Sequence, residues 1–85
     1  MKIGNKVKLI SFNGLESMPE GNDEKENYWK LIGEYGTIID YPREKHFNGR
    51  LLIKFEIEIK SMNLECHNKE KNTLWILEKD LKQIN

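Results

Sequence analysis

The sequence predicts a small all-β domain, a barrel of about five strands with a long first loop, on three observations. Residues 50–60, RLLIKFEIEIK, alternate apolar and polar side chains, which is the period-2 pattern of a strand with one buried face. Short apolar runs separated by turn residues recur along the rest of the chain, without a long helical pattern. Its 85 residues have the length of one domain, so residues 1–85 are expected to form a single barrel.

The first strand is predicted within residues 2–10, KIGNKVKLI, with Ile3, Val7 and Leu9 as its apolar side chains and Lys2, Lys6 and Lys8 on its outer face. Gly4-Asn5 forms a turn before this strand. Asn13-Gly14 follows it, and this dipeptide tolerates the positive φ angles of a tight turn.

Residues 16–27, ESMPEGNDEKEN, form the long first loop, called the acidic loop below. It holds five carboxylates and one lysine, which gives a net charge of −4. A connection of this length is longer than most in compact domains, and such loops are often functional or mobile.

Order returns at residues 28–32, YWKLI, and two glycines then lead into a second strand at residues 37–39. We expect Gly33 or Gly36 to adopt a positive φ. A phosphate-binding loop is the alternative interpretation of Gly33 to Gly36, but this stretch lacks a third glycine and a following Lys-Ser/Thr pair. Pro42 ends the strand, and a polar hairpin loop over residues 43–48 closes at Asn48-Gly49.

The third strand is predicted to span residues 50–60, with at least four of its five inward side chains buried. These side chains are Leu51, Ile53, Phe55, Ile57 and Ile59, and Leu52, Lys54, Glu56, Glu58 and Lys60 are expected on the outer face. Residues 61–73 form a second irregular stretch, in which Leu64 faces inward.

The last segment, residues 73–84, fits two interpretations. Leu74, Leu77, Leu81 and Ile84 have helical spacing. A helix would leave Trp75 and Ile76 exposed, however. We therefore prefer a strand through residue 77, a tight turn around Asp80 and a short last strand.

The order of these elements resembles the SH3-like barrels of small bacterial proteins, including the KOW type. The resemblance rests on Val7, Leu9, Gly33, Gly36, Ile38, Ile53, Phe55, Trp75, Asp80 and Leu81. It implies a small bacterial binding module, and some proteins of this appearance resemble the immunity proteins encoded beside bacterial toxins. The tyrosine-rich run and Trp-Trp pair of eukaryotic SH3 peptide receptors are absent from the chain, which argues against proline-rich ligands.

Composition narrows the classes of partner. Fourteen basic and fourteen acidic side chains cancel, so the chain lacks the overall positive field of a general nucleic-acid binder. No apolar run approaches the roughly 18 residues of a membrane span, and no membrane association is expected. A single cysteine, Cys66, fits a reducing cytoplasm.

The sequence gives little support for a catalytic site or a metal site. Cys66-His67 is the only adjacent pair with such a chemical character, and the second histidine, His46, lies in another predicted loop. A structural zinc site needs four ligands, and adjacent strand residues face opposite sides. We expect no catalytic residue, metal or cofactor.

The acidic loop and the aromatic pair that follows it form the predicted binding site. Its residues are Glu20, Asp23, Glu24, Glu26, Tyr28 and Trp29. On an extended chain one of the two adjacent aromatic rings faces outward, and aromatic rings are common at binding hot spots. The predicted partner is a protein with a basic surface. A KOW-like module that binds nucleic acid or the ribosome through Lys2, Lys6, Lys8 and Lys30 is the alternative.

Overall fold

The structure of the protein, a computed structural model, describes residues 1–42 and 49–84. Its strands are β1 (Lys6–Leu9), β2 (Tyr35–Asp40), β3 (Arg50–Phe55), β4 (Thr73–Leu77) and β5 (Leu81–Ile84). Short 3-10 helices lie at Glu24–Glu26, Tyr28–Leu31, Ile59–Met62 and Glu78–Asp80. The prediction of an all-β domain is confirmed.

The strands form one antiparallel sheet in the order β4-β3-β2-β1-β5. Its two end strands, β4 and β5, are not paired with each other in the part of the chain that the structure describes, so the sheet is not closed. A closed barrel therefore stays a prediction.

One face of the sheet carries the core. Ile53 of β3 lies opposite Ile38 of β2 and Leu74 of β4, and all three side chains are buried. The rest of the core comes from strands and loops alike: Val7, Leu9, Phe12, Tyr28, Leu31, Leu51, Phe55, Ile59, Leu64, Ile76 and Leu81. Leu64 confirms the prediction that the second irregular stretch contributes to the core.

The third strand is shorter than predicted. Leu51, Ile53, Phe55 and Ile59 are buried, as expected for four of five positions, but β3 ends at Phe55. Beyond it, Asn72 takes the place of a neighbouring strand: its amide Nδ2 donates to the carbonyls of Phe55 (2.7 Å) and Ile57 (2.9 Å). Its Oδ1 accepts from the amide of Ile59 at 2.7 Å. A distant side chain thus satisfies backbone groups that a longer strand would have paired.

Leu52 also departs from prediction, because it is buried although it lies on the outer face. Its direct neighbours across the sheet are Asp40 on β2 and Trp75 on β4, and Trp75 is half-buried. Side chains directly opposite each other share a face. Leu52 and Trp75 therefore form an apolar pair on the side of the sheet that was expected to be polar.

The two glycines before β2 have different roles. Gly33 has a φ of +97°, which confirms the expected turn, and its amide donates to the carbonyl of Leu9 at 2.8 Å. Gly36 has no positive φ. A Cβ atom there would lie 2.6 Å from Cγ2 of Ile53 and 2.8 Å from the carbonyl oxygen of Lys54, so close approach of β3 requires glycine.

The turn at Asn13-Gly14 and the turn before the last strand both match the predictions. Asn13 and Gly14 have φ angles of 52° and 78°, and Phe12 and Leu15 exchange backbone hydrogen bonds across them. The strand interpretation of residues 73–84 is confirmed, with a 3-10 turn that ends at Asp80. The predicted hairpin loop over residues 43–48 lies outside the described residues.

Candidate functional site

The acidic loop is exposed except at Met18 and Asn27, which are half-buried. Its carboxylates belong to Glu16, Glu20, Asp23, Glu24 and Glu26, and all five residues are exposed. Asp23 begins the 3-10 helix Glu24–Glu26, and its Oδ1 accepts from the amide of Lys25 at 2.9 Å. Among residues 1–42 and 49–84, none of the five carboxylates forms an ion pair.

The aromatic pair does not present a ring in the way that was predicted. Tyr28 and Trp29 lie in a 3-10 helix and not on an extended chain, so the premise that one ring must face outward is wrong. Tyr28 is 7% exposed and Trp29 is half-buried. The Phe12 ring contacts Trp29 edge-on, with centroids 4.9 Å apart, and lies 5.5 Å from Tyr28. The two rings fix the end of the acidic loop to the core.

A second set of contacts joins the acidic loop to residues 63–72. The hydroxyl of Tyr28 donates to the carbonyl of Glu65 at 2.7 Å, and the amide of Glu65 donates to the carbonyl of Lys25 at 2.9 Å. Burial, followed by the negative charges of Glu26, Glu65 and Cys66, raises the pKa of Tyr28 to about 12. The hydroxyl therefore stays a hydrogen-bond donor to a higher pH than an ordinary tyrosine hydroxyl does.

Asp80 holds the other end of the loop. This carboxylate is fully buried and accepts hydrogen bonds from the amides of Asn13 (2.9 Å) and Gly14 (3.0 Å) and from the hydroxyl of Ser11. The turn before the acidic loop is thereby fixed to the connection between β4 and β5. Sequence reasoning placed Asp80 in a turn and missed this function, since nothing in the local pattern connects residues so far apart.

Two apolar side chains near this turn were also missed. Leu15 is 47% exposed and Ile10 is 43% exposed, and Leu15 directly precedes the acidic loop. Leu15 therefore places an exposed apolar side chain beside the carboxylates of the acidic loop.

Residues 58–72 line two neighbouring clefts of about 500 and 350 Å³, which share Lys60 and Cys66. Cys66 is half-buried, and Nε2 of the exposed His67 lies 3.5 Å from Oε2 of Glu65. Burial by itself would raise the pKa of the Cys66 thiol, but backbone hydrogen bonds with Thr73, Asn68 and Asn72 lower it.

Within residues 1–42 and 49–84, no three His, Cys, Asp or Glu side chains come together in a group that could hold a metal ion. No helix in the same part of the chain has the length and apolar character needed to cross a bilayer.

Comparison of the chain with protein-family models, curated proteins and solved structures gives no match.

Proposed function

We propose that the protein is a small non-catalytic binding module of the SH3-like type, which recognises a protein with a basic surface through its acidic loop. The observation that carries this proposal is a loop whose two ends are fixed to the core and whose five exposed carboxylates form no ion pair within residues 1–42 and 49–84. A loop held in this way loses little conformational entropy when it binds.

The SH3-like assignment is supported by the order of the strands. Consecutive strands pair from β1 to β4, and β5 returns to lie beside β1. The long connection between β1 and β2 and the 3-10 turn between β4 and β5 fit the predicted barrel. Fold by itself does not define the partner, so the functional argument rests on the loop.

Charge would act mainly on the encounter between the two proteins. Glu16, Glu20, Asp23, Glu24 and Glu26 against Lys25 leave a local charge of −4 on a chain whose total charge is zero. Such a local field steers a basic partner and accelerates association. Leu15 supplies exposed apolar contact at the edge of this field.

The type of partner follows from the resemblance and not from the loop. The partner with the basic surface would be a bacterial toxin, which this protein would neutralise as an immunity protein does. Alternatively, the partner would be a regulatory protein. The cytoplasm is the proposed compartment because Cys66 is a free thiol.

The nucleic-acid alternative relies on lysines that are partly engaged. Nζ of Lys6 lies 3.1 Å from Oε2 of Glu56 and 5.1 Å from the centroid of the Tyr35 ring. Nζ of Lys8 lies 5.9 Å from the same centroid. These contacts compete with phosphate groups for the two cations, so we favour the protein partner.

The proposal can be tested by selecting binders of the protein from a displayed library of proteins encoded by the same genome. The parent should enrich proteins with basic surfaces, and the triple reversal Asp23→Lys, Glu24→Lys and Glu26→Lys should lose them. The matched control reverses Glu56, Glu70 and Glu78, three exposed acids outside the loop, and should retain them. Enrichment of neutral or acidic proteins, or retention by the loop variant, would contradict the proposal.

A further inference from the structure

The two clefts beside residues 58–72 carry an excess of positive charge. Lys25 and Lys60 line the larger cleft, and Lys60, Lys69 and Lys71 line the smaller one. Against these four cations stand one carboxylate in each cleft, those of Glu65 and Glu58. The shared surface is therefore basic although the whole chain is neutral.

These lysines are available to a ligand. Within residues 1–42 and 49–84, none of Lys25, Lys60, Lys69 and Lys71 forms an ion pair with a carboxylate. Lysine ammonium groups are common phosphate ligands because each is a compact charge with three donors.

The residues that line the clefts also limit the kind of ligand that can bind. The larger cleft, of about 500 Å³, is shallow and open to solvent, and the smaller one, of about 350 Å³, is more enclosed. None of the lining residues in the described part of the chain is Phe, Tyr or Trp. A nucleobase would find no such ring to stack on, so recognition would depend on the charged part of the ligand.

Cys66 lines both clefts, and its thiol is engaged within its own loop. Its Sγ donates to the carbonyl oxygens of Thr73 (3.4 Å) and Glu70 (3.7 Å). The attraction for an anion therefore comes from the four lysines.

We propose that the two clefts together bind a compact polyphosphate, with Lys60 at the centre and Lys25, Lys69 and Lys71 around it. The polyphosphate is either free or the terminal group of a larger molecule. This site goes beyond the proposed function, because its ligand is a small anion and its ligating side chains are not the carboxylates of the acidic loop.

Calorimetric titration with inorganic pyrophosphate, ATP and citrate at constant ionic strength tests the site. Pyrophosphate should bind saturably, and Lys60→Gln should weaken it about tenfold, as expected for loss of a charge-assisted hydrogen bond. The double variant Lys69→Gln and Lys71→Gln provides a second test should Lys60→Gln unfold. The matched control, Lys2→Gln with Lys82→Gln, removes two exposed lysines outside the clefts and should change the Kd less than about twofold.

The outcomes separate the two sources of the phosphate group. Tighter binding of pyrophosphate than of ATP indicates a free polyphosphate, and the reverse indicates a terminal phosphate on a larger molecule. Citrate that binds as tightly as both would overturn the polyphosphate assignment. So would the absence of saturable binding, or equal weakening by the cleft variants and the control.

Discussion

The carboxylate of Asp80 accepts a hydrogen bond from the amide of Gly14 at 3.0 Å, although the two residues are 66 positions apart in the chain. Asn13 and Ser11 donate to the same buried carboxylate. Asp80→Ala would leave two amides and a hydroxyl without their acceptor, and we expect it to lower the free energy of unfolding by about 2–4 kcal/mol. Urea denaturation measures this loss. Asp23→Ala, at an exposed cap, should cost less than about 1 kcal/mol, and equal costs would contradict the role of Asp80.

Alanine substitutions at the two glycines should have different costs with different causes. Gly36→Ala forces a methyl group against Ile53 and the backbone of Lys54, and overpacking of this kind costs about 1–3 kcal/mol. Gly33→Ala meets open space, and only its positive φ is penalised, by about 1–2 kcal/mol. The strain at Gly33 should be relieved in part by Gly33→Asn, which tolerates positive φ, whereas Gly36→Asn should be worse than Gly36→Ala. Thermal unfolding of the four variants checks this order.

Trp29 should contribute mainly to stability. Its ring contacts Phe12 edge-on, and its buried Nε1 has no hydrogen-bond partner among the described residues. Trp29→Ala should lower the free energy of unfolding by about 2–4 kcal/mol. Trp29→Phe keeps a ring and removes the unpaired donor, so it should cost less than half as much. A Trp29→Ala variant as stable as the parent would show that the ring does not fix the acidic loop to the core.

Ionisation of Tyr28 sets an upper pH limit on the contact between the acidic loop and residues 63–72. Its pKa is about 12 in the folded protein and near 10.0 in an unfolded chain. Because the folded value is raised, the fold favours the neutral hydroxyl, and its stabilising effect is complete below about pH 10 and lost as the pH rises through 12. Ultraviolet titration should show one late tyrosine transition that Tyr28→Phe removes. Persistence of this transition in the variant would contradict the assignment.

Local pattern was sufficient to predict much of the sheet. Alternation placed Leu51, Ile53 and Phe55 on the buried face of β3, and Asn13-Gly14 identified a turn from backbone preference alone. These features depend on neighbouring residues, so they can be read from short stretches of sequence. The end of β3 could not be read in this way, because Asn72 satisfies the backbone beyond Phe55 from a distant loop.

In the candidate site, too, some features follow from local sequence and others depend on contacts between distant residues. The exposure of the carboxylates of Asp23, Glu24 and Glu26 follows from their local composition. The orientation of Trp29 does not, because it depends on a 3-10 helix and on a contact with Phe12 across the loop. Tertiary contacts override the two-residue alternation that an extended chain would impose.

The association rate constant of the tightest library binder tests the central proposal most directly. For the loop variant Asp23→Lys, Glu24→Lys and Glu26→Lys, we expect association at least about tenfold slower than for the parent at ~0.01 M salt, because electrostatic steering is lost. The difference should shrink at ~0.15 M salt, where screening is stronger. Equal association rates for parent and loop variant at low salt, or an equal loss in the control with Glu56, Glu70 and Glu78 reversed, would contradict binding through the acidic loop.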